Sequence, residues 1–272
     1  MRVVEISSAA NPRVRQVVRL RQQRHRRRTG LLIAEGQREV VRALAAGLAA
    51  REVWMCRELL ERHGLGEAAD ELARRMGAEV VHLRASARVF EKVAYVREPE
   101  GLLAVFEQPA WSVDGLPAVS GATLYLVAVG VEKPGNLGAM VRTAEAAGCQ
   151  AVYVAGAVVD AYNPNAIRTS TGAVFTTPVL AMGEAEVREH LRAAGVRLAL
   201  ATPGEATPHT RFDWRGPVAV VIGPEDAGLD QGWIEAEGGE RVCIEMRGKV
   251  VDSLNASNAA AVLLFEALRQ RG

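Results

Sequence analysis

Cysteine is scarce in this chain of 272 residues: Cys56, Cys149 and Cys243 stand far apart, with no Cys-x-x-Cys pair and no histidine beside them. That spacing excludes a disulfide-stapled scaffold and fits buried structural thiols in a reducing compartment. The five histidines (25, 63, 82, 190 and 209) are equally scattered, so no metal-ligand pattern emerges and no metal is expected. No run of about eighteen continuous apolar residues occurs, and the N-terminus lacks the apolar core of a secretory signal. No membrane association and a cytoplasmic location are therefore expected. Low-complexity segments and repeats are missing too. The formal net charge is only +1, so the global field alone does not argue for a nucleic-acid partner. A dinucleotide fingerprint is also missing, because Gly130 to Gly135 does not have the Gly-x-Gly-x-x-Gly spacing.

What is present is ample apolar material, 49% of the chain, enough for one large or two modest cores. Charge is unevenly spread. Arg19, Arg21, Arg24, His25, Arg26, Arg27 and Arg28 form a basic cluster in an N-terminal third that holds most of the arginine. Such a cluster is either a solvated helix face or a phosphate-neutralising patch. Asn11-Pro12 is a helix start, and Val14, Val17, Val18 and Leu20 give that helix an apolar stripe up to Thr29-Gly30. Short strands are expected at 31–34, 52–56, 78–82 and 102–106, with helices between them. This alternation over residues 1–107 describes a small α/β sandwich. Residues 108–121 lose periodicity and gain Pro and Gly, as a linker does.

From residue 122 to 272 the strands become continuously apolar, as in a parallel sheet covered on both faces. They are expected at 123–129, 151–154, 197–201, 218–222 and 242–244, with helices at 136–147, 163–171, 184–194, 229–236 and 255–270. Strand-helix alternation of this kind gives a doubly wound α/β sheet, whose ligands bind beyond the carboxyl ends of the strands.

Three stretches fall at those ends: Lys133-Pro-Gly-Asn-Leu-Gly-Ala-Met-Val-Arg142, Ile222-Gly-Pro-Glu-Asp-Ala-Gly-Leu229 and Ser253-Leu-Asn-Ala-Ser-Asn258. Each puts glycine or small polar residues where backbone amides can meet a ligand. Each also carries polar side chains fit for chemistry: Asn136 and Arg142, Glu225, Ser253 and Asn255. Asn136, after Pro134-Gly135, has the composition of a helix N-cap, as do Ser253 and Asn255 before the last helix.

These stretches resemble the three signature motifs of the SpoU/TrmH family (SPOUT superfamily), which methylates ribose 2′-hydroxyls of RNA with S-adenosylmethionine. The matches are Asn136, Gly138 and Arg142, then Gly223, Glu225 and Gly228, then Ser253 to Ser257. The resemblance implies a C-terminal parallel-sheet domain with a trefoil knot and, over residues 1–107, a ribosomal-protein-like RNA-binding domain. It implies that Arg142, Asn136, Glu225, Ser253 and Asn255 form the catalytic set. S-adenosylmethionine is the expected co-substrate, held by Ile222, Gly223, Gly228, Ile244, Met246 and Leu254, with Thr202 completing the pocket. An arginine stays protonated, so Arg142 suits oxyanion stabilisation and phosphate grip better than proton abstraction. Arg168, in Asn163-Pro-Asn-Ala-Ile-Arg-Thr-Ser-Thr-Gly172, is a second phosphate candidate beside Arg142, and Arg24, Arg26, Arg27 and Arg28 extend the RNA-binding set.

The expected function is 2′-O-methylation of RNA, 23S rRNA first. A tRNA 2′-O-methyltransferase, an rRNA enzyme conferring antibiotic resistance, and a non-catalytic RNA-binding assembly factor are the alternatives. A homodimer is expected, because Ala259, Ala260, Val262, Leu263, Phe265 and Leu268 make the last helix apolar over more than one stripe. Leu264 and Ala261 are the positions expected to face outward.

Overall fold

The computed structural model describes residues 2–156, 159–248 and 250–272. They form two compact units. One holds the chain up to Ala110 together with Tyr162–Thr176; the other holds Trp111–Ala161 and Thr177–Gly272.

The first unit runs β1 (Arg2–Ile6), α1 (Pro12–Arg19), α2 (Gln23–Thr29), β2 (Leu31–Glu35), α3 (Gln37–Ala45), β3 (Ala50–Met55), α4 (Arg57–Arg62), α5 (Gly66–Arg75), β4 (Val81–Ala85), α6 (Ala87–Val93) and β5 (Leu102–Glu107). Among the described residues its sheet has five strands in the order β1-β4-β3-β5-β2. β1, β4 and β3 are parallel, and β5 is antiparallel to both of its neighbours.

α1 begins as its residues dictate: the Asn11 side chain accepts from the Arg13 amide at 2.9 Å, with Pro12 in the first turn. Val14, Val17 and Leu20 are buried against Val89, Phe90 and Val93 of α6 and against Ile33, Trp54, Leu83 and Leu103 of the sheet. The single helix expected over this region is two, because the chain turns at Leu20–Gln22 before α2 begins. The strand expected at 78–82 lies three residues later, after the turn at Gly77. β1 was not expected at all, since Arg2 and Glu5 interrupt its apolar sequence.

In the second unit the chain runs β6 (Leu124–Val129), α7 (Pro134–Ala146), β7 (Ala151–Ala155), α8 (Pro164–Thr169), β8 (Val179–Met182), α9 (Glu184–Ala193), β9 (Arg197–Ala201), β10 (Thr207–Pro208), β11 (Val218–Ile222), α10 (Gln231–Ile234), β12 (Gly239–Cys243) and α11 (Ala256–Arg271). Of these, α8 packs with the first unit. Among the described residues the sheet has seven strands, β10-β12-β9-β11-β6-β7-β8, and every adjacent pair is parallel.

β6, β7 and β11 are buried at every position, which explains their unbroken apolar sequence. One face packs Tyr125, Val127, Tyr153 and Val221 against Val187 and Leu191 of α9 and Trp233 of α10. α7 packs on β6, β7 and α11, and α11 also packs on β11. Successive strands leave β6 in one direction through β7 and β8, then in the other through β11 and β9. The order therefore reverses between β6 and β11, where a crevice is expected.

The last helix corrects one expectation. Leu264 is fully buried, in line with Ala256, Ala260, Leu263 and Ala267, because a stripe at spacings of three and four meets the sheet. The outward stripe consists of Phe265, 48% exposed, and Leu268, 39% exposed, with Ala261 one turn before Phe265. Among the described residues, no helix is long and apolar enough to cross a membrane.

His82, on β4, is 1% exposed, and neither ring nitrogen has a hydrogen-bond partner among the described residues. Burial pushes its pKa below the ordinary 6.5. The unfolded chain therefore takes up a proton that the folded chain refuses. The stability present above 6.5 declines as the pH falls through that value toward the depressed folded pKa. His82→Leu is expected to raise stability by about 1 kcal/mol at pH 8. It should gain more at pH 5.5, as read by urea unfolding of both proteins; an equal difference at the two pH values would contradict this.

Candidate functional site

The crevice is shaped by glycines that nothing else could replace. Gly130 follows β6 at φ +60°, and a Cβ there would lie 2.8 Å from Pro224 Cγ. Gly223 follows β11, and its Cβ would lie 2.8 Å from the backbone of Gly228 and Leu229. The loop from 223 to 229 thus folds back on itself, closed by the Gly228 amide donating to the Pro224 carbonyl at 3.1 Å.

At the centre of this loop Glu225 gathers the three motif stretches. Its Oε1 accepts from Asn136 Nδ2 at 2.7 Å and from Asn255 Nδ2 at 2.5 Å, and its Oε2 accepts from Lys133 Nζ at 2.9 Å. The Ala256 amide donates to the same carboxylate. The Lys133 hydrogen bond above all, then that of Asn136, holds the carboxyl below the usual carboxylate range. Asn255 is shared in turn: its Oδ1 caps α11, accepting from the Ser257 amide at 3.0 Å and from the Ser257 hydroxyl at 2.7 Å.

Asn136 is not the helix N-cap its sequence suggests. Lys133 takes that position and Pro134 the first helical one, which leaves Asn136 inside the first turn with its amide turned to Glu225. Lys133 is the residue that sequence reasoning missed; its only signal was its place at the head of the first stretch.

Beyond Glu225 lies a cavity of about 370 Å³. Thr202, Ile222, Gly223, Gly228, Ile244, Met246 and Leu254 all line it, as do Glu225 and Ser253. Its walls offer aliphatic side chains for a flat apolar ring and strand-end backbone for hydrogen bonds, in the size range of small-molecule sites. Thr202 Oγ1 is buried without a hydrogen-bond partner among the described residues. Among the described residues no group of three His, Cys, Asp or Glu side chains is placed to hold a metal ion.

Arg142 stands apart from this network. It lies six residues beyond Asn136, about 9 Å along the axis of α7 and roughly 120° around it, so the two do not share a face. It is exposed and makes no hydrogen bond or ion pair among the described residues. Arg168 belongs to the first unit, Arg142 to the second. Of the basic cluster, Arg24, Arg27 and Arg28 are exposed on α2. Arg26 corrects the expectation: it is 1% exposed and donates to the Leu20 carbonyl at 2.6 Å, so it does not face an RNA.

Comparison with known proteins agrees with this geometry. Residues 123–265 match the SpoU rRNA Methylase family, and residues 11–104 match the MRM3-like substrate binding domain. The chain is 33% identical over 254 residues to a 23S rRNA (uridine(2479)-2′-O)-methyltransferase of Streptomyces viridochromogenes, covering 90% of this chain and 85% of that protein. A crystal structure of an RNA 2′-O ribose methyltransferase is similar at 40% identity with a TM-score of 0.85, covering 98% of this chain and 99% of the other. The AdoMet-bound rRNA methyltransferase from Sinorhizobium meliloti is similar at 28% identity, also with a TM-score of 0.85, covering 98% of each chain. With more than half of its length matched and its three motif stretches meeting on one carboxylate, this chain belongs to the SpoU rRNA methylase family.

Proposed function

We propose that the chain transfers the methyl group of S-adenosylmethionine to a ribose 2′-hydroxyl of 23S rRNA, in the cytoplasm and as a homodimer. The observation that carries this reading is Glu225, whose carboxylate joins all three motif stretches beside the cavity that Thr202, Ile222, Ile244, Met246 and Leu254 line. In this reading residues 1–107 capture RNA, 108–121 link, and 122–272 bind the co-substrate.

Methyl transfer from a sulfonium needs the 2′-oxygen, the methyl carbon and the sulfur in line, so positioning supplies much of the rate. The C–O bond forms as the C–S bond breaks, the sulfonium leaving as the neutral thioether S-adenosylhomocysteine and the hydroxyl proton passing to water. Arg142 of one protomer serves the oxyanion forming at the other's cavity with its planar fork of donors, for which an exposed guanidinium with no partner among the described residues is suited. Asn136 and Asn255, fixed by Glu225, orient the ribose, and Ser253 lies at the cavity wall.

Glu225→Gln keeps the shape but loses the charge that three side chains share. Methyl transfer should fall about tenfold to a hundredfold. Because the carboxyl is held below its ordinary 4.5, the wild type should show no acid limb from this group above about pH 5. A fully active Gln variant would contradict the role.

Arg142→Ala should abolish transfer while the S-adenosylmethionine affinity, read by calorimetry, stays the same. Lys should rescue poorly, lacking the fork. Retention of more than about a tenth of turnover, a loss below ~1.4 kcal/mol, would remove Arg142 from this role.

The dimer reading rests on the outward stripe of α11, with Phe265 and Leu268 both exposed and apolar. Phe265→Glu combined with Leu268→Glu should give monomers by light scattering, and activity should vanish with the dimer. In this reading Arg142 of one protomer approaches the co-substrate bound by the other, so a fully active monomer would contradict it.

A further inference from the structure

Two adjacent parallel strands need a crossover between them, and its helix ordinarily packs back on the sheet it serves. The crossover from β7 to β8 does otherwise. Its helix α8 packs on β2, and the turn at Ala173–Phe175 packs on α3, both in the first unit. Pro164, Ala166, Ile167, Val174 and Phe175 are buried there, while Arg168 is exposed.

The end of α8 is a Schellman motif. The Gly172 amide donates to the Ile167 carbonyl at 3.0 Å, and the Thr171 amide donates to the Arg168 carbonyl at 3.0 Å. The left-handed position of that motif ordinarily belongs to glycine. Here it is Thr171 at φ +53°, the one non-glycine described residue with positive φ. For a β-branched residue this conformation is strained. Among what threonine adds over glycine is a hydrogen-bonding group, its hydroxyl, and that hydroxyl has a partner. Arg42 of α3 donates from Nη1 to Thr171 Oγ1 at 2.6 Å and also to the Thr171 carbonyl. Gly172 leaves room for the stem of Arg42, since a Cβ there would lie 3.2 Å from Arg42 Cβ and Cδ.

We infer that Arg42 and Thr171 are positioning residues that fix the C-terminus of α8 on the substrate-binding unit, so that Arg168 grips RNA as part of that unit's surface. Arg42 acts through Arg168 and does not itself touch the RNA. The inference rests on the RNA-binding reading of the first unit, but not on methyl transfer.

The test is a double-mutant cycle on the affinity of the full chain for a 23S rRNA transcript, with melting temperatures and S-adenosylmethionine affinity measured in parallel. Arg42→Ala and Arg168→Ala should each weaken RNA binding about tenfold, and the double variant should be no more than about threefold weaker than either one. Thr171→Gly keeps the left-handed turn and the carbonyl that accepts from Arg42, and removes the hydroxyl with the rest of the side chain. It should melt no lower than wild type and still bind RNA several-fold more weakly. Co-substrate affinity should be unchanged in all four. Additive effects of Arg42 and Arg168, full RNA affinity in Thr171→Gly, or full affinity in Arg168→Ala would each overturn the inference. Absence of methyl transfer by the wild type would instead count against the proposed reaction and leave the binding cycle interpretable.

Discussion

Glu225 is the interaction on which the rest of the site depends. Its two oxygens accept from Lys133 and Asn136 at the start of α7 and from Asn255 at the start of α11, while its own loop leaves β11. Three segments separated in sequence, Glu225 lying 92 residues after Lys133 and 30 before Asn255, are thereby held at one point. The fold brings them within reach because β6 and β11 are neighbours at the place where strand order reverses. Glycines 130 and 223 allow the two strand ends to close to contact distance, and the carboxylate then sets the register of the loops. Charge supports the arrangement: Lys133 balances the carboxylate, and its pKa is raised by that same hydrogen bond.

Division of labour follows from packing. The second unit supplies the cavity and the carboxylate network on a sheet whose central strands are wholly buried, a rigid base for positioning. The first unit supplies exposed arginines on α2 and, through the borrowed helix α8, Arg168. Exposed arginines are what a polyanion requires, and Arg26 shows the opposite use of the same side chain, buried and donating to the Leu20 carbonyl.

Much of this was legible in the sequence where signals are local. Apolar runs gave β6, β7, β9 and β11 within a residue or two, and the three glycine-rich stretches marked the loops of the site. What was illegible depends on partners distant in sequence. Periodicity could not tell Leu264 from Phe265, because both lie in an apolar run and only contact with the sheet and α7 decides which one is buried. Arg26 reads like its neighbours until burial separates it. β1 and β8 are edge strands, β1 broken by Arg2 and Glu5 and β8 only four residues long, so neither gives a sustained strand pattern. The value of Lys133 appears only once Glu225, 92 residues later, is seen to accept from it. The allegiance of α8 is likewise a matter of tertiary packing.

The central claim is that the Glu225-centred crevice directs a methyl group to a ribose oxygen of 23S rRNA. The most direct measurement is to incubate 23S rRNA lacking its own 2′-O-methyl groups with the protein and S-adenosylmethionine, and to map methylated nucleotides by mass spectrometry of nuclease fragments. The account predicts a 2′-O-methyl group at a defined nucleotide, dependent on the co-substrate. Methylation on a base, or none on the RNA at all, would contradict it.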